Sequence, residues 1–458
     1  MDYQNVKGTH DILGDEANAY LAVENLMRTV AHLFAFNEVR PPVIEHSELF
    51  VRGVGESSDV VRKEMYTFLD KGNRSLTLRP EFTAGIIRLM VQNKLLFNNE
   101  LPLKVYYLGP VFRYERPQLG RYRQFNQFGV ESVGVNNPLN DVETIVLAYT
   151  ILQSLGLENV KVKINSLGDD ESRNNYRAAL REYFSKHIEN MCSDCKSRYE
   201  INPLRILDCK VPEDKEIVKG APTIGKYLSQ SSKERFNKVL EALDALDIPY
   251  EVDESLVRGL DYYSETVFEF HYLSAKGNDY GAIGAGGHYD KLVKELGGPD
   301  AHGVGFSFGI ERIVSVLKDD ELLPEGMENE VDFYVMPMGE GARTLAMMAA
   351  NSIRMLGYSA DYCFDDVKLP NMFKRAEKKH AKFGLILGEN EINNKEIVIK
   401  DLQSKEQFTI KQDELEDKVV ELMEKDTHHC CCGEHHHEGE CCEGEDHECC
   451  CHEHKEGK

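Results

Sequence analysis

The chain has 458 residues, enough for two to four domains at roughly 100 to 200 residues each. Hydrophobic residues make up 41% and charged residues 29%, ordinary globular usage that excludes wholesale disorder and fibrous repeats. A net charge of −24 excludes a general nucleic-acid binder, because neutralising phosphates takes clustered Lys and Arg; any such contact must use local basic patches.

In chain order, residues 15–36 have helical spacing, with Leu21, Leu26, Val30 and Leu33 as the apolar stripe. Segments 103–113 and 123–133, rich in Val, Tyr and Phe, read as two strands joined by a long loop. Residues 139–155 read as a helix and 161–166 as a strand. Residues 169–245 are charged and helix-like, a separate helical insert. Glycine-rich strand sequence returns over 250–308 and ends in a helix over 310–317. A linker is expected at 324–330. Beyond it, strands at 331–336 and 384–387, a helix at 343–356 and a hairpin over 397–410 describe a compact α/β domain. No apolar run approaches the roughly 18 residues of a membrane helix. The N-terminus also lacks the basic and apolar regions of a secretory signal. No membrane partner is expected, and a cytoplasmic location is.

Eight of the 12 cysteines and eight of the 16 histidines lie in residues 428–458. With almost nothing apolar to bury except Cys, that tail should be disordered without metal. Its thiolates and imidazoles, Cys430, Cys431, Cys432, His435, His436, His437, Cys441, Cys442, Cys449, Cys450 and Cys451, suit zinc, nickel or copper. In the insert, Cys192-x-x-Cys195 with Cys209 offers three soft ligands, and His187 could be a fourth; that spacing is incomplete for zinc, and ordinary reduced cysteines are expected.

Four segments carry chemistry. In 112–131, Arg113, Arg116, Arg121 and Arg123 crowd a loop, and a period of two puts Phe125, Gln127, Gly129 and Glu131 on one strand face, with Phe128 and Val130 on the other. A polar face around a glycine fits either a small ligand or a solvated strand. Residues 256–263 set Arg258 and Asp261 beside Tyr262 and Tyr263, a ligand grip or a structural turn. In 281–290, missing side chains would let a flat ligand lie against the backbone. In 303–312, Arg312 falls in the first turn of a helix, where the dipole already favours anions; a bound phosphate or a surface ion pair would account for it.

Together with KGTHD at 7–11, VRPP at 39–42 and LRPEFTA at 78–84, these segments resemble class II histidyl-tRNA synthetases over nearly all of residues 1–425. The resemblance implies an α+β fold: a class II antiparallel sheet with flanking helices over 1–325, the helical insert at about 169–245, and an α/β anticodon-binding domain over 331–425. It implies a homodimer through the first motif. It further implies that Glu81 and Thr83 receive the α-amino group of histidine, that Gln127 holds the same substrate, and that Glu131 and Tyr263 bracket the imidazole, with Tyr262 and Tyr289 closing the pocket. Arg113 would bind the α-phosphate of ATP and Arg312 the γ-phosphate, while Arg258 would stabilise charge at the α-phosphate; Mg2+ is expected on the β and γ oxygens. For tRNA(His), Arg116, Gln118, Arg121 and Arg123 would face the acceptor end. The run 368–382, with Lys374, Arg375 and Lys378, would face the anticodon. Three activities compete: a histidine–tRNA ligase, a synthetase-like regulatory subunit of ATP phosphoribosyltransferase, and a metal-storage protein on a synthetase scaffold. The intact C-terminal domain and arginine set favour the first.

Overall fold

The computed structural model describes residues 3–55, 58–116, 120–323 and 330–430, with backbone alone at Glu340 and over 425–430. The chain divides into two units, Met1–Met327 and Glu328–Lys458.

The first unit is built on eight strands: β1 (Asn37–Glu38), β2 (Leu103–Phe112), β3 (Gln124–Val133), β4 (Lys161–Ser166), β5 (Tyr250–Val252), β6 (Ser264–Leu273), β7 (Asp279–Tyr289) and β8 (Gly303–Gly309). They form one sheet in the order β1-β2-β3-β8-β7-β6-β4-β5. Only the outer pairs, β1 with β2 and β4 with β5, are parallel; the rest are antiparallel. The helical insert connects the parallel pair β4 and β5, as a parallel crossover must. It contains the helices Asp170–Phe184, Ser193–Ile201, Pro212–Lys219 and Gln230–Ala245.

Strand alternation divides the sheet into two chemistries. One face presents Phe128, Val130, Phe306, Phe308, Phe268 and Phe270 to the helices Asp15–Leu33, Pro138–Ser154 and Ile310–Asp319, forming the main core. Part of the glycine content of β7 serves this packing. A Cβ at Gly284 would fall 2.2 Å from the Phe308 ring, so the aromatic layer needs a residue without a side chain there. The other face, with Gln127, Gly129, Glu131, Gly305, Ser307 and Tyr289, forms the floor of a cavity.

The first helix forms where helical spacing places it, but its buried side is Ala19, Tyr20, Val23, Met27, Val30 and Ala31. Leu21 and Leu33, read as part of the stripe, are 55% and 75% exposed. Two small alanines lie on the side that packs against the helices Pro138–Ser154 and Ile310–Asp319, and a leucine-only pattern misses that face. The small sheet Ile44–His46, Ser75–Leu78 and Tyr66–Leu69, and the helix Thr83–Gln92, carried no periodic signal read from the sequence.

His288 stands at a register position opposite in facing to Tyr289, and it is 1% exposed. Its Nδ1 lies 2.8 Å from Asp141 Oδ1 and its Nε2 3.0 Å from Asp290 Oδ1; Arg235 of the insert donates to Asp141 Oδ2 at 2.9 Å. Burial alone would lower the imidazole, but Asp141 and Asp290 raise it to about 9. The network joins the insert, the helix Pro138–Ser154 and the glycine-rich strand at their buried junction, and it lies behind the cavity floor.

The second unit has a five-stranded sheet, with Ala360–Tyr362, Phe333–Pro337, Phe383–Leu387, Glu396–Asp401 and Gln407–Lys411 in that spatial order. The helices Glu340–Met355 and Leu415–Cys430 pack on one core, and Leu369–Lys378 on another through Met372 and Ala376. The last helix runs into the first tail residues. Among the described residues, no helix is long and apolar enough to cross a membrane.

Candidate functional site

The cavity of the first unit measures about 400 Å³. Its wall includes Glu81, Thr83, Arg113, Gln127, Glu131, Arg258, Tyr262, Tyr263, Tyr289 and Arg312, so residues read from five separated segments meet in one place.

At one end lies Glu131, 1% exposed. Thr83 donates to its Oε1 at 2.7 Å and the Tyr289 hydroxyl to its Oε2 at 2.8 Å. Both are neutral donors. Burial pushes this carboxyl up to about 8, against the opposing pull of the two hydroxyls. The site exists only because β8 carries glycine opposite: a Cβ at Gly305 would fall 2.1 Å from Glu131 Oε2. Glu81 sits at the start of the helix Thr83–Gln92 and accepts from the backbone N–H of Thr83 at 2.6 Å and of Ala84 at 2.9 Å. These are N–H groups that a helix start leaves open. Burial raises the Glu81 carboxyl as well. Between the acids stand three tyrosines, with the Tyr262 ring 4.5 Å from Tyr263 and 5.8 Å, edge-on, from Tyr289.

At the other end are the guanidinium groups. Arg113 donates through Nε to the Pro80 carbonyl at 2.7 Å, which fixes the side chain, and its Nη1 lies 3.8 Å from Glu115 Oε1 on the cavity wall. Arg312 donates to the Ala282 carbonyl, and burial with the nearby charge of Arg121 lowers its basicity. Arg258 pairs with Glu269; burial opposes its charge, but Tyr263 and Glu269 more than offset that. Its buried Nε has no hydrogen-bond partner. The arrangement is a polar trough in which arginines, their carboxylate partners and two buried acids line one cavity. It suits a ligand with a phosphate chain and a small cationic or N–H-bearing ring.

Several site residues were not singled out from sequence. Glu269 lines the cavity as the partner of Arg258, and Glu115, Arg205 and Asp208 line it too. Period-two alternation along β6 was the one signal that could have found Glu269; Glu115 comes from a loop, and Arg205 and Asp208 from the short helical turn Pro203–Asp208. Of the residues read as facing an acceptor end, Arg116 is exposed, while Arg121 lines the cavity, 3.7 Å from Glu115. The Arg123 guanidinium lies 3.9 Å over the exposed Tyr114 ring and donates to the Glu115 and Lys7 carbonyls, and its backbone N–H donates to the Gly8 carbonyl at 2.7 Å. Gln118 lies outside the described residues.

In the second unit, Lys374 and Lys378 are exposed, whereas Arg375 pairs with Asp365 at 2.8 Å and donates to Cys363 Sγ at 3.4 Å. Arg375 and Lys378 also line a shallow cavity with Tyr362 and Phe364. The tail ligands from Cys431 to Cys451 lie outside the described residues, as does the side chain of Cys430.

A family model described as Histidyl-tRNA synthetase matches residues 8–313, and one described as Anticodon binding domain matches residues 332–422. The chain is similar to the Histidine--tRNA ligase of Bacillus subtilis (strain 168), 46% identical over 417 residues, covering 90% of this chain and 97% of the relative. It is equally similar to that of Natranaerobius thermophilus, 46% identical over 417 residues, covering 91% of this chain and 98% of the relative. Among solved structures, apo S. aureus histidyl-tRNA synthetase matches with a TM-score of 0.78 at 36% identity, covering 91% of this chain and all of that one. An ATP phosphoribosyltransferase regulatory subunit/histidyl-tRNA synthetase from Bacillus halodurans C matches with a TM-score of 0.59 at 21% identity over 85% of this chain and 98% of that one, a likeness of fold alone.

The geometry around Glu131 predicts a carboxyl that stays neutral below pH of about 8 and ionises as pH rises through it. Infrared difference spectra should show its protonated C=O stretch fading across that range, with Glu131→Gln lacking the change. A group already ionised near neutrality would contradict this environment.

Proposed function

The chain belongs to the histidyl-tRNA synthetase family, and from that premise we propose how its cavity performs the reaction of a histidine–tRNA ligase. The carrying observation is Glu131, a buried acid with only hydroxyl partners, set across one cavity from three arginines.

The ligase joins histidine to the 3′ end of tRNA(His) at the expense of ATP. In the first step a carboxylate oxygen of histidine bonds to the α-phosphorus, and the bond to the bridging oxygen breaks, releasing pyrophosphate. In the second, a terminal ribose hydroxyl of tRNA attacks the acyl carbon and AMP leaves. Neither step needs a protein nucleophile, since the acyl phosphate is already activated. What the protein supplies is position and fixed charge.

In this reading the imidazole lies between Glu131 and Tyr263, and Tyr262 and Tyr289 close the ring pocket. Neutral imidazole brings one N–H donor to Glu131, whose side-chain partners among the described residues are two hydroxyls, and one acceptor nitrogen for a tyrosine hydroxyl. A side chain that cannot do so leaves a buried acid uncompensated, and that is the basis of rejection. Thr83, Gln127 and Glu81 receive the α-amino end; Glu81, though spent partly on two backbone N–H groups, keeps lone pairs for it. Arg113 and Arg258 neutralise charge gathering on the α-phosphate. Arg312 takes the γ-phosphate. Magnesium fits the oxygen donors of this wall: Glu115 or Glu269 would hold it, and when bound it would neutralise the β- and γ-phosphates.

For tRNA, exposed Arg116 faces the acceptor end, and Lys374 and Lys378 contribute to an anticodon surface where Tyr362 and Phe364 offer rings for base stacking. A cytoplasmic location goes with this activity. A homodimer is supported by the small sheet, whose one face carries Ile44, Tyr66, Phe68, Leu76 and Leu78. Ile44 is 48% and Phe68 41% exposed there, an apolar face that a second copy would cover. The regulatory-subunit reading is disfavoured by the anticodon-binding segment at 332–422 and by close identity to ligases.

Histidine-dependent exchange of pyrophosphate into ATP tests the assignment; exchange that proceeds equally with other amino acids would contradict it. In that assay Arg258→Ala should lower turnover by about 10²–10³-fold, as loss of one transition-state donor does. Gly305→Ala should cost about 10²-fold by pressing on Glu131. Lys374→Glu combined with Lys378→Glu should leave exchange intact and raise KM in tRNA charging; an unchanged KM would remove these lysines from the tRNA surface. Light scattering should give twice the 52.1 kDa chain mass, and Phe68→Glu should yield monomers; a monomeric parent chain would contradict the dimer.

A further inference from the structure

The helical insert holds a cluster that the ligase reaction does not use. Cys192 and Cys195 lie at the start of the helix Ser193–Ile201, Cys209 just beyond the short turn Pro203–Asp208, and Asp214 in the first turn of the helix Pro212–Lys219. Their ligating atoms all lie within 4.8 Å of one another. Cys192 Sγ and Cys209 Sγ are 3.9 Å apart, and the Cys209 thiol donates to Asp214 Oδ2 at 3.2 Å. Tetrahedral zinc with Zn–S bonds of about 2.3 Å separates its sulfur ligands by about 3.8 Å, while a disulfide needs about 2.05 Å. The observed spacing is that of ligands around an ion.

The surroundings agree. Cys195, Cys209 and Asp214 are 0%, 5% and 2% exposed, so two thiols and a carboxylate share one dry space, with half-buried Cys192 at its edge. Backbone N–H groups already face the would-be ligands: Cys195 N–H points at Cys192 Sγ at 3.4 Å and Cys192 N–H at Asp214 Oδ2 at 3.1 Å. Such donors stabilise thiolate and carboxylate charge and fix ligand direction. His187, the fourth ligand suggested by sequence, instead packs against the Tyr183 ring at 5.1 Å. Asp214 takes that corner, which sequence spacing did not indicate.

We propose that Cys192, Cys195, Cys209 and Asp214 form a closed structural zinc site that ties together three elements of the insert. The consequence reaches the cavity. The turn between the ligands carries Arg205, which pairs with Asp261 at 3.0 Å beside Tyr262 and Tyr263. The helix carrying Cys195 also carries Arg198, paired at 2.8 Å with the cavity residue Asp59. A metal knot there holds one wall of the amino-acid pocket in place.

The test uses the full-length chain with the cysteines and histidines of residues 428–458 replaced by serine, so that the tail cannot contribute ligands. Purified under reducing conditions and dialysed free of loose metal, it should retain about one zinc per chain. Cys195→Ser in that background should lose it. Cobalt loaded in place of zinc should show intense thiolate-to-cobalt charge-transfer absorption, a readout that needs no insert variant to fold. Absence of retained zinc and of that band would overturn the site. So would a Cys192–Cys209 disulfide, seen as a chain two hydrogens lighter with two fewer free thiols, or zinc retained undiminished by Cys195→Ser.

Discussion

A carboxyl buried where only hydroxyls can reach it is the constraint on which the site depends. Glu131 lies in the middle of a strand, in a sheet whose other face is a wall of phenylalanines, and its side-chain partners among the described residues are two hydroxyls. Burying an acid this way is costly unless something arrives to complete it. The cavity supplies the opening, and the arginines at the far end govern what else the arriving molecule must carry. Binding then engages the buried carboxyl and the guanidinium groups through one molecule. That preorganisation is how a site without a nucleophile can lower a barrier.

The sheet makes this affordable by dividing its labour. On β3 and β8 the same residues that put Phe128, Val130, Phe306 and Phe308 into the core put Gln127, Glu131 and Gly305 on the cavity floor. A one-residue slip in register would exchange these faces, so the aromatic core also fixes the position of the acid. Behind the floor, the His288, Asp141 and Asp290 network locks the glycine-rich strand to the insert. The zinc site proposed in that insert would act on the same pocket through Arg205 and Arg198.

Much of this was legible in the amino-acid order, for physical reasons that differ from place to place. Strands β2 to β4 announced themselves through β-branched and aromatic alternation, and the facing of Glu131 followed from a period of two. The first helix was legible as a helix but not in its buried side, because alanines at 19 and 31 carry little hydrophobic signal yet decide how close a helix can lie. The small sheet and the helix after Glu81 were silent, since short strands leave too few residues to show a period. The stacking of Arg123 on Tyr114 was not legible, because a side chain's direction is set by neighbours that no local pattern reveals. Asp214 is the clearest case: only the folded path of three insert elements brings it to the cysteines.

The most direct test is a crystal structure of the chain with histidine and a non-hydrolysable ATP analogue. The account predicts an imidazole nitrogen within hydrogen-bonding distance of the Glu131 carboxyl and the phosphate chain among Arg113, Arg258 and Arg312. A nucleotide bound away from these arginines, or a ring that leaves Glu131 with its two hydroxyls alone, would contradict it.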